Sequence, residues 1–99
     1  MLLISGRSDH VWPSSEMSSA VMARLERNHF PFPHQHLAYD DAGHGIGRPY
    51  VSTAEVNHAV HPLTGRAMIL GGTPAGTAKA REDSWRHVLA FLEENLRGR

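Results

Sequence analysis

Two side chains in this sequence have the types and the placing that proton-transfer chemistry needs. Asp9 sits in the polar stretch Gly6-Arg7-Ser8-Asp9-His10, three residues after the glycine that closes an apolar run. His44 sits in Asp41-Ala42-Gly43-His44-Gly45, just beyond a second short run that ends at Tyr39. A carboxylate can accept the Nδ1–H of an imidazole, fix its tautomer and stabilise the imidazolium formed when Nε2 takes a proton. The 35 positions from Asp9 to His44 hold one helix, one strand and little else. Taken singly, each residue reads equally as an ordinary solvated loop residue. The pair, at successive strand ends in that order, is what points to a site.

Other chemistry has weaker support. There are eight histidines. His34 and His36 share a strand face by their spacing of two, and His58 and His61 could meet on a turn. Zinc needs three or four convergent ligands with a supporting shell. Nothing in the spacing fixes convergence, so no metal or other cofactor is expected. The chain has no cysteine, which removes disulfides, thiolate zinc sites and a cysteine nucleophile within these residues. Trp12 and Trp85 read as core or helix-docking residues.

The elements that must position Asp9 and His44 follow from pattern. Met1-Leu2-Leu3-Ile4-Ser5 is a continuous apolar run stopped by Gly6, as in a strand of a parallel sheet. Pro13 suits the first position of a helix, with Glu16 in its first turn. Met17, Val21 and Leu25, with Ala20, form an apolar stripe read as core packing. Pro31 and Pro33 end that helix near Asn28. Residues 35–39 form a second strand, so strand, helix and strand make a βαβ unit with parallel strands and a right-handed crossover.

Residues 45–72 carry no clear period. A short strand or a helical turn near Ala67–Leu70 both remain open there. Thr73-Pro74 then supplies a helix cap and first residue. Trp85, Val88, Leu89, Leu92 and Leu96 form the stripe of a helix of about twenty residues, stopped by Gly98. In open parallel sheets functional groups gather at the carboxyl ends of the strands, where both Asp9 and His44 fall.

Ten basic and ten acidic residues cancel, and the arginines are scattered among the acids. This argues against a nucleic-acid partner, which needs clustered positive charge. No run approaches the roughly 18 apolar residues of a membrane span, and Met1–Gly6 is too short for a signal peptide. The cytoplasm is the expected compartment. At 99 residues the chain is one domain at most.

The segment Gly6-Arg7-Ser8-Asp9-His10-Val11-Trp12-Pro13-Ser14-Ser15 resembles the Gly-x-x-Asp-x-x-Trp-Pro-Ser-Ser stretch of the acyl-CoA thioester hydrolase and bile acid-CoA:amino acid N-acyltransferase family. Tyr39 through His44 is similar to its Tyr-x-x-Ala-Gly-His, and Arg48-Pro49-Tyr50 to its following Pro-Tyr. Gly71-Gly72-Thr73-Pro74 with Glu82-Asp83-Ser84-Trp85 resembles its closing segment. The four motifs run in order over essentially all of residues 1–99.

The resemblance implies an α/β class chain that is the C-terminal fragment of an α/β-hydrolase fold: the last two parallel strands, a crossover helix, a long loop and a long C-terminal helix. It implies acyl-CoA as the substrate class, Asp9 as triad acid and His44 as general base. The chain order in such folds is nucleophile, acid, histidine. Ser5 and Ser8 are too close to Asp9 to stand on a separate elbow, so the nucleophile and oxyanion hole are expected outside these residues and the chain alone is expected to be inert. Asp40 and Asp41, where the family has small residues, are expected to be solvated while Asp9 keeps the imidazole. The alternative is a truncated, non-catalytic interaction module. An N-terminal half, or self-association through an exposed sheet edge, is the expected protein partner.

Overall fold

The computed structural model describes residues 1–47, 49, 52 and 59–97. Six elements follow one another: β1 (Leu2–Gly6), α1 (Ser14–Arg27), β2 (Gln35–Tyr39), β3 (Ala59–Val60), β4 (Ala67–Met68) and α2 (Pro74–Leu96). β1 and β2 pair in parallel, Leu2 opposite Gln35 through Gly6 opposite Tyr39. The βαβ reading and the limits of the second strand therefore hold. β3 and β4 form a small antiparallel pair, Ala59 opposite Met68. Of the two possibilities open near Ala67–Leu70, the strand is the one observed. Gly98, expected to stop α2, lies outside the described residues, as do Arg48, Tyr50 and His58.

The two helices lie on opposite faces of the β1–β2 ribbon. Ser5 and His36 point to α1, where the Ser5 hydroxyl is 2.8 Å from that of Ser15 and 2.7 Å from His36 Nε2. Tyr39 points the other way and donates its hydroxyl to Asp83 of α2 at 2.6 Å. That bond anchors the third turn of α2 to β2, and within the helix Asp83 also meets Arg86 at 3.0 Å and His87 at 3.5 Å. Desolvation, then the bond to Asp83, raises the Tyr39 hydroxyl well above its ordinary pKa. The hydroxyl therefore stays a donor.

Three expectations about packing are corrected. Pro13 is the residue capping α1 rather than its first helical position. Of the α1 stripe, Met17 and Val21 are 54% and 41% exposed while Leu25 is half-buried, and α1 has no fully buried residue. In α2 most of the expected stripe also turns outward, with Leu89, Leu92 and Leu96 all about half exposed or more and Trp85 exposed, while Val88 is half-buried. The less exposed face of α1 combines Ser14, Ser15 and Ser18 with Met22 and Leu25, and that of α2 combines Thr77, Ala80 and Ser84 with Val88 and Phe91. The fully buried positions of α2 are all taken by small residues, as close packing of a helix on its neighbours favours.

The fully buried apolar side chains of the described residues are Ala42 and Ala80. A Cα radius of gyration of 14.9 Å exceeds the roughly 13 Å of a compact chain this long. Apolar surface is left over on both helices. No described helix is long and apolar enough to cross a membrane.

What replaces a large core at one end of the ribbon is backbone packed on backbone. A Cβ on Gly43 would collide with the Gly71 carbonyl, and one on Gly71 with the Ser8 carbonyl. Gly71 also has φ +83°, a left-handed conformation that costs a residue bearing a Cβ. Gly71→Ala should therefore destabilise the fold by more than about 1 kcal/mol. Gly47→Ala, whose added Cβ would meet no described residue within 4 Å, should be near neutral. Denaturant midpoints of the two variants check this, and equal midpoints would contradict the packing described.

Candidate active site

The turn after β1 carries Asp9. Arg7 N–H donates to the Tyr39 carbonyl at 2.9 Å and Ser8 N–H to that of Ala42 at 3.0 Å, so the turn is laced to the segment after β2. Asp9 then folds its carboxylate back over its own loop. Its Oδ1 accepts the N–H of Val11 at 2.8 Å and of Trp12 at 3.3 Å. This leaves Oδ2 directed at the Nδ1 of His44, 3.0 Å away. The carboxylate is 3% exposed and the imidazole 32%, so Asp9 is enclosed while His44 reaches the surface.

The turn after β2 carries His44, and it is held from two sides. The Leu70 carbonyl accepts the N–H of His44 at 2.9 Å and also that of His10 at 3.2 Å. One carbonyl thereby ties the loop of Asp9 to the loop of His44. Bridge pairs Asp9 with Gly71 and Ala42 with Gly72 continue that strap. From below, Thr73 N–H donates to the Asp41 carbonyl at 2.8 Å, and Gly43 N–H donates to Thr77 Oγ1 at 3.4 Å. Arg81 Nε donates to the Gly45 carbonyl at 2.8 Å. Thr73 caps α2 by accepting Gly76 N–H at 2.9 Å, as its sequence predicts.

Asp40 and Asp41 do not compete for the imidazole. Asp40 pairs with Arg7 at 3.4 Å on the surface, and Asp41 takes a positive φ in the turn. The histidines other than His44 separate: His36 meets Ser5, whereas the His34 Nδ1 lies 2.8 Å from the Phe32 carbonyl. No cluster of potential metal ligands exists among the described residues.

Trp12 is corrected from a core residue to a wall of the site. It is 53% exposed and stands edge-on to the His44 ring, with centroids 5.0 Å apart and planes at 87°. Trp12 and the carbonyl of Leu70 are the parts that sequence reasoning missed. Trp12 lies three residues from Asp9, which was the available signal; a backbone carbonyl leaves none. Gly6, Asp9, Trp12, Ser14, His44 and Ile46 line a cavity of about 230 Å³.

Burial of Asp9 pushes its pKa up. Hydrogen bonds from His44, from Ser14 and from the Val11 and Trp12 amides outweigh that and leave it below the ordinary carboxylate value. A pKa depressed by folding stabilises the folded chain above the unfolded value of about 3.9 and is lost as pH falls through the folded value. Asp9→Asn should therefore be less stable than the parent at pH 6, and the difference should shrink as pH drops below about 4. Urea unfolding at stepped pH reads this; a difference independent of pH would contradict it.

With Nδ1–H held by a carboxylate, Nε2 of His44 carries the lone pair and makes no hydrogen bond among the described residues, so it is placed to take a proton from an incoming group. Comparison with known proteins agrees with the motifs that carry these residues. Residues 1–98 match the family described as BAAT / Acyl-CoA thioester hydrolase C terminal. The chain is 31% identical to human acyl-coenzyme A thioesterase 1 over 97 residues, covering 98% of this chain and 22% of that protein. It is 31% identical to human mitochondrial acyl-coenzyme A thioesterase 2, over 98% of this chain and 20% of the relative. Against mouse acyl-coenzyme A amino acid N-acyltransferase 1 it is 34% identical, over 97% of this chain and 22% of the relative. The chain thus spans about a fifth of the length of the curated relatives it matches. It belongs to the BAAT / acyl-CoA thioester hydrolase C-terminal family.

Proposed function

We propose that residues 1–99 form the C-terminal portion of an α/β-hydrolase catalytic domain acting on acyl-CoA thioesters. In it Asp9 orients His44, and His44 serves a serine or cysteine nucleophile contributed from outside these residues. The observation that carries the reading is the 3.0 Å contact from Asp9 Oδ2 to His44 Nδ1 at the carboxyl ends of two parallel strands. Names of relatives from both thioesterases and N-acyltransferases support the acyl-CoA substrate class.

The proton path follows from the tautomer. His44 Nε2 takes the nucleophile's proton as it attacks the thioester carbonyl carbon, and Asp9 stabilises the imidazolium. When the tetrahedral species collapses, the C–S bond breaks and the imidazolium returns its proton to the leaving coenzyme A sulfur. Water or an amine then attacks the acyl-enzyme by the same base. The enclosed Asp9 and the half-open His44 suit these roles, because the acid only has to hold a charge while the base has to exchange a proton.

The ribbon has room for the missing part. Gln35 N–H donates to the Met1 carbonyl at 3.0 Å, so Met1, Leu3 and Ser5 face β2 and the backbone of Leu2 and Ile4 faces away. That edge of β1 pairs with no described strand, and Ile4 also lines the cavity in front of His44. A further strand added there would bring its own carboxyl end beside the imidazole.

A chimera of human acyl-coenzyme A thioesterase 1 whose matching segment is replaced by this chain tests the roles. It should release thiol from acyl-CoA, whereas Asp9→Asn and His44→Ala should each lower kcat by roughly 10³- to 10⁴-fold with KM little changed. The isolated 99-residue chain should show no turnover above background. Full activity in either variant chimera would rule out the assignment.

A further inference from the structure

The ribbon has a second open edge, on β2, away from Asp9 and His44. Gln35 N–H and the Tyr39 carbonyl both bond toward β1. Along a parallel strand the backbone groups alternate sides, so Gln35, Leu37 and Tyr39 face β1 while the N–H and C=O of His36 and Ala38 face outward. A groove of about 790 Å³ runs along that edge, with Ser15, Glu16 and Ser19 on its α1 side and Asp83 on its α2 side. Nothing among the described residues fills it. Unpaired N–H and C=O groups beside an open groove form a template for another strand.

The sequence around the edge is complementary to itself when read in opposite directions. In His34-Gln35-His36-Leu37-Ala38-Tyr39-Asp40 an antiparallel pairing centred on Leu37 sets His34 opposite Asp40, Gln35 opposite Tyr39 and His36 opposite Ala38. The His36–Ala38 pair is the one whose backbone groups already point outward, so each symmetric pair exchanges both of its hydrogen bonds. At each end a basic ring faces a carboxylate. The His34 ring is held by the Phe32 carbonyl at 2.8 Å and by Phe30 edge-on at 5.6 Å. Asp40 is 83% exposed, and its Oδ1 lies 3.4 Å from Arg7 while Oδ2 makes no ion pair among the described residues. Moving the register by two residues either way breaks the His34–Asp40 match, and moving it by one turns the backbone groups out of phase.

We propose that a second copy of this chain adds to the open edge of β2 as an antiparallel strand, with the two-fold axis at Leu37. The contact is isologous, the same patch meeting itself, and it closes as a dimer rather than growing. It joins the two ribbons into one four-stranded sheet and leaves the β1 edge and the His44 cavity untouched. It does not depend on any catalytic role for Asp9 or His44.

Sedimentation velocity of the purified chain, with cysteine cross-linking, tests it. The chain should sediment at twice its 11.0 kDa mass. Because the native sequence has no cysteine, a single Leu37→Cys can link only to another copy. It sits opposite itself in this register and should form the disulfide dimer at least tenfold faster than Ala38→Cys, which does not. His34→Glu, which sets like charges opposite Asp40, should raise the dimer dissociation constant at least tenfold, and His34→Glu with Asp40→Lys should restore it. Should Leu37→Cys fail to fold, the two charge variants decide the matter. A monomer at high micromolar concentration would overturn the proposal. So would a dimer that is indifferent to His34→Glu, or one in which Ala38→Cys links as fast as Leu37→Cys.

Discussion

One carbonyl joins the two loops of the site. Leu70 accepts the N–H of His10 and the N–H of His44, and so ties together the loops of Asp9 and His44, which lie 35 positions apart in the chain. The strap can reach both because the backbones around it come closer than side chains allow, with Gly43 against Gly71 and Gly71 against Ser8. Buried backbone groups must be paired, and here their pairing is also what sets the distance between a carboxylate and an imidazole. The long glycine-bearing segment before α2 is therefore the part that locks the site, although the site residues themselves come from the ends of β1 and β2.

A backbone lock explains how a defined contact coexists with a thin core. Ala42 and Ala80 supply little hydrophobic stabilisation, and most of the apolar stripe of each helix remains turned to solvent. Each loop of the site is instead fixed by several hydrogen bonds, from Ala42, Leu70, Thr77 and Arg81. Each such bond contributes a modest net amount, on the order of 1 kcal/mol, but a missing one would strand a buried donor at greater cost. Geometry is over-determined at the Asp9–His44 end and sparse elsewhere. Trp85, Leu89 and Leu92 leave an exposed apolar face on α2.

Much of this was legible from residue order. Apolar runs bounded by Gly6 and by the Asp40-Asp41 turn gave the two parallel strands, and Thr73-Pro74 gave the start of α2. The placing of Asp9 and His44 beyond successive strands predicted their meeting. The inward faces of the helices were legible only in part. Periodicity identifies which residues share a face, and Leu25 and Val88 are half-buried as their stripes predict, but Met17, Val21, Leu89, Leu92 and Leu96 stay exposed beside a ribbon of two strands, and the fully buried positions of α2 go to Thr77, Ala80 and Ser84. The strap was hidden for a different reason. It acts through a carbonyl, which every residue type possesses, and through glycines whose spacing has no period.

The role proposed for His44 requires a preformed Asp9–His44 pair in this chain, and the imidazole protons report on that pair directly. Nitrogen-edited NMR of the histidine rings at neutral pH should show His44 as the Nδ1–H tautomer, with a far-downfield Nδ1 proton that disappears in Asp9→Asn. An Nε2–H tautomer, or a His44 signal unchanged by Asp9→Asn, would contradict it.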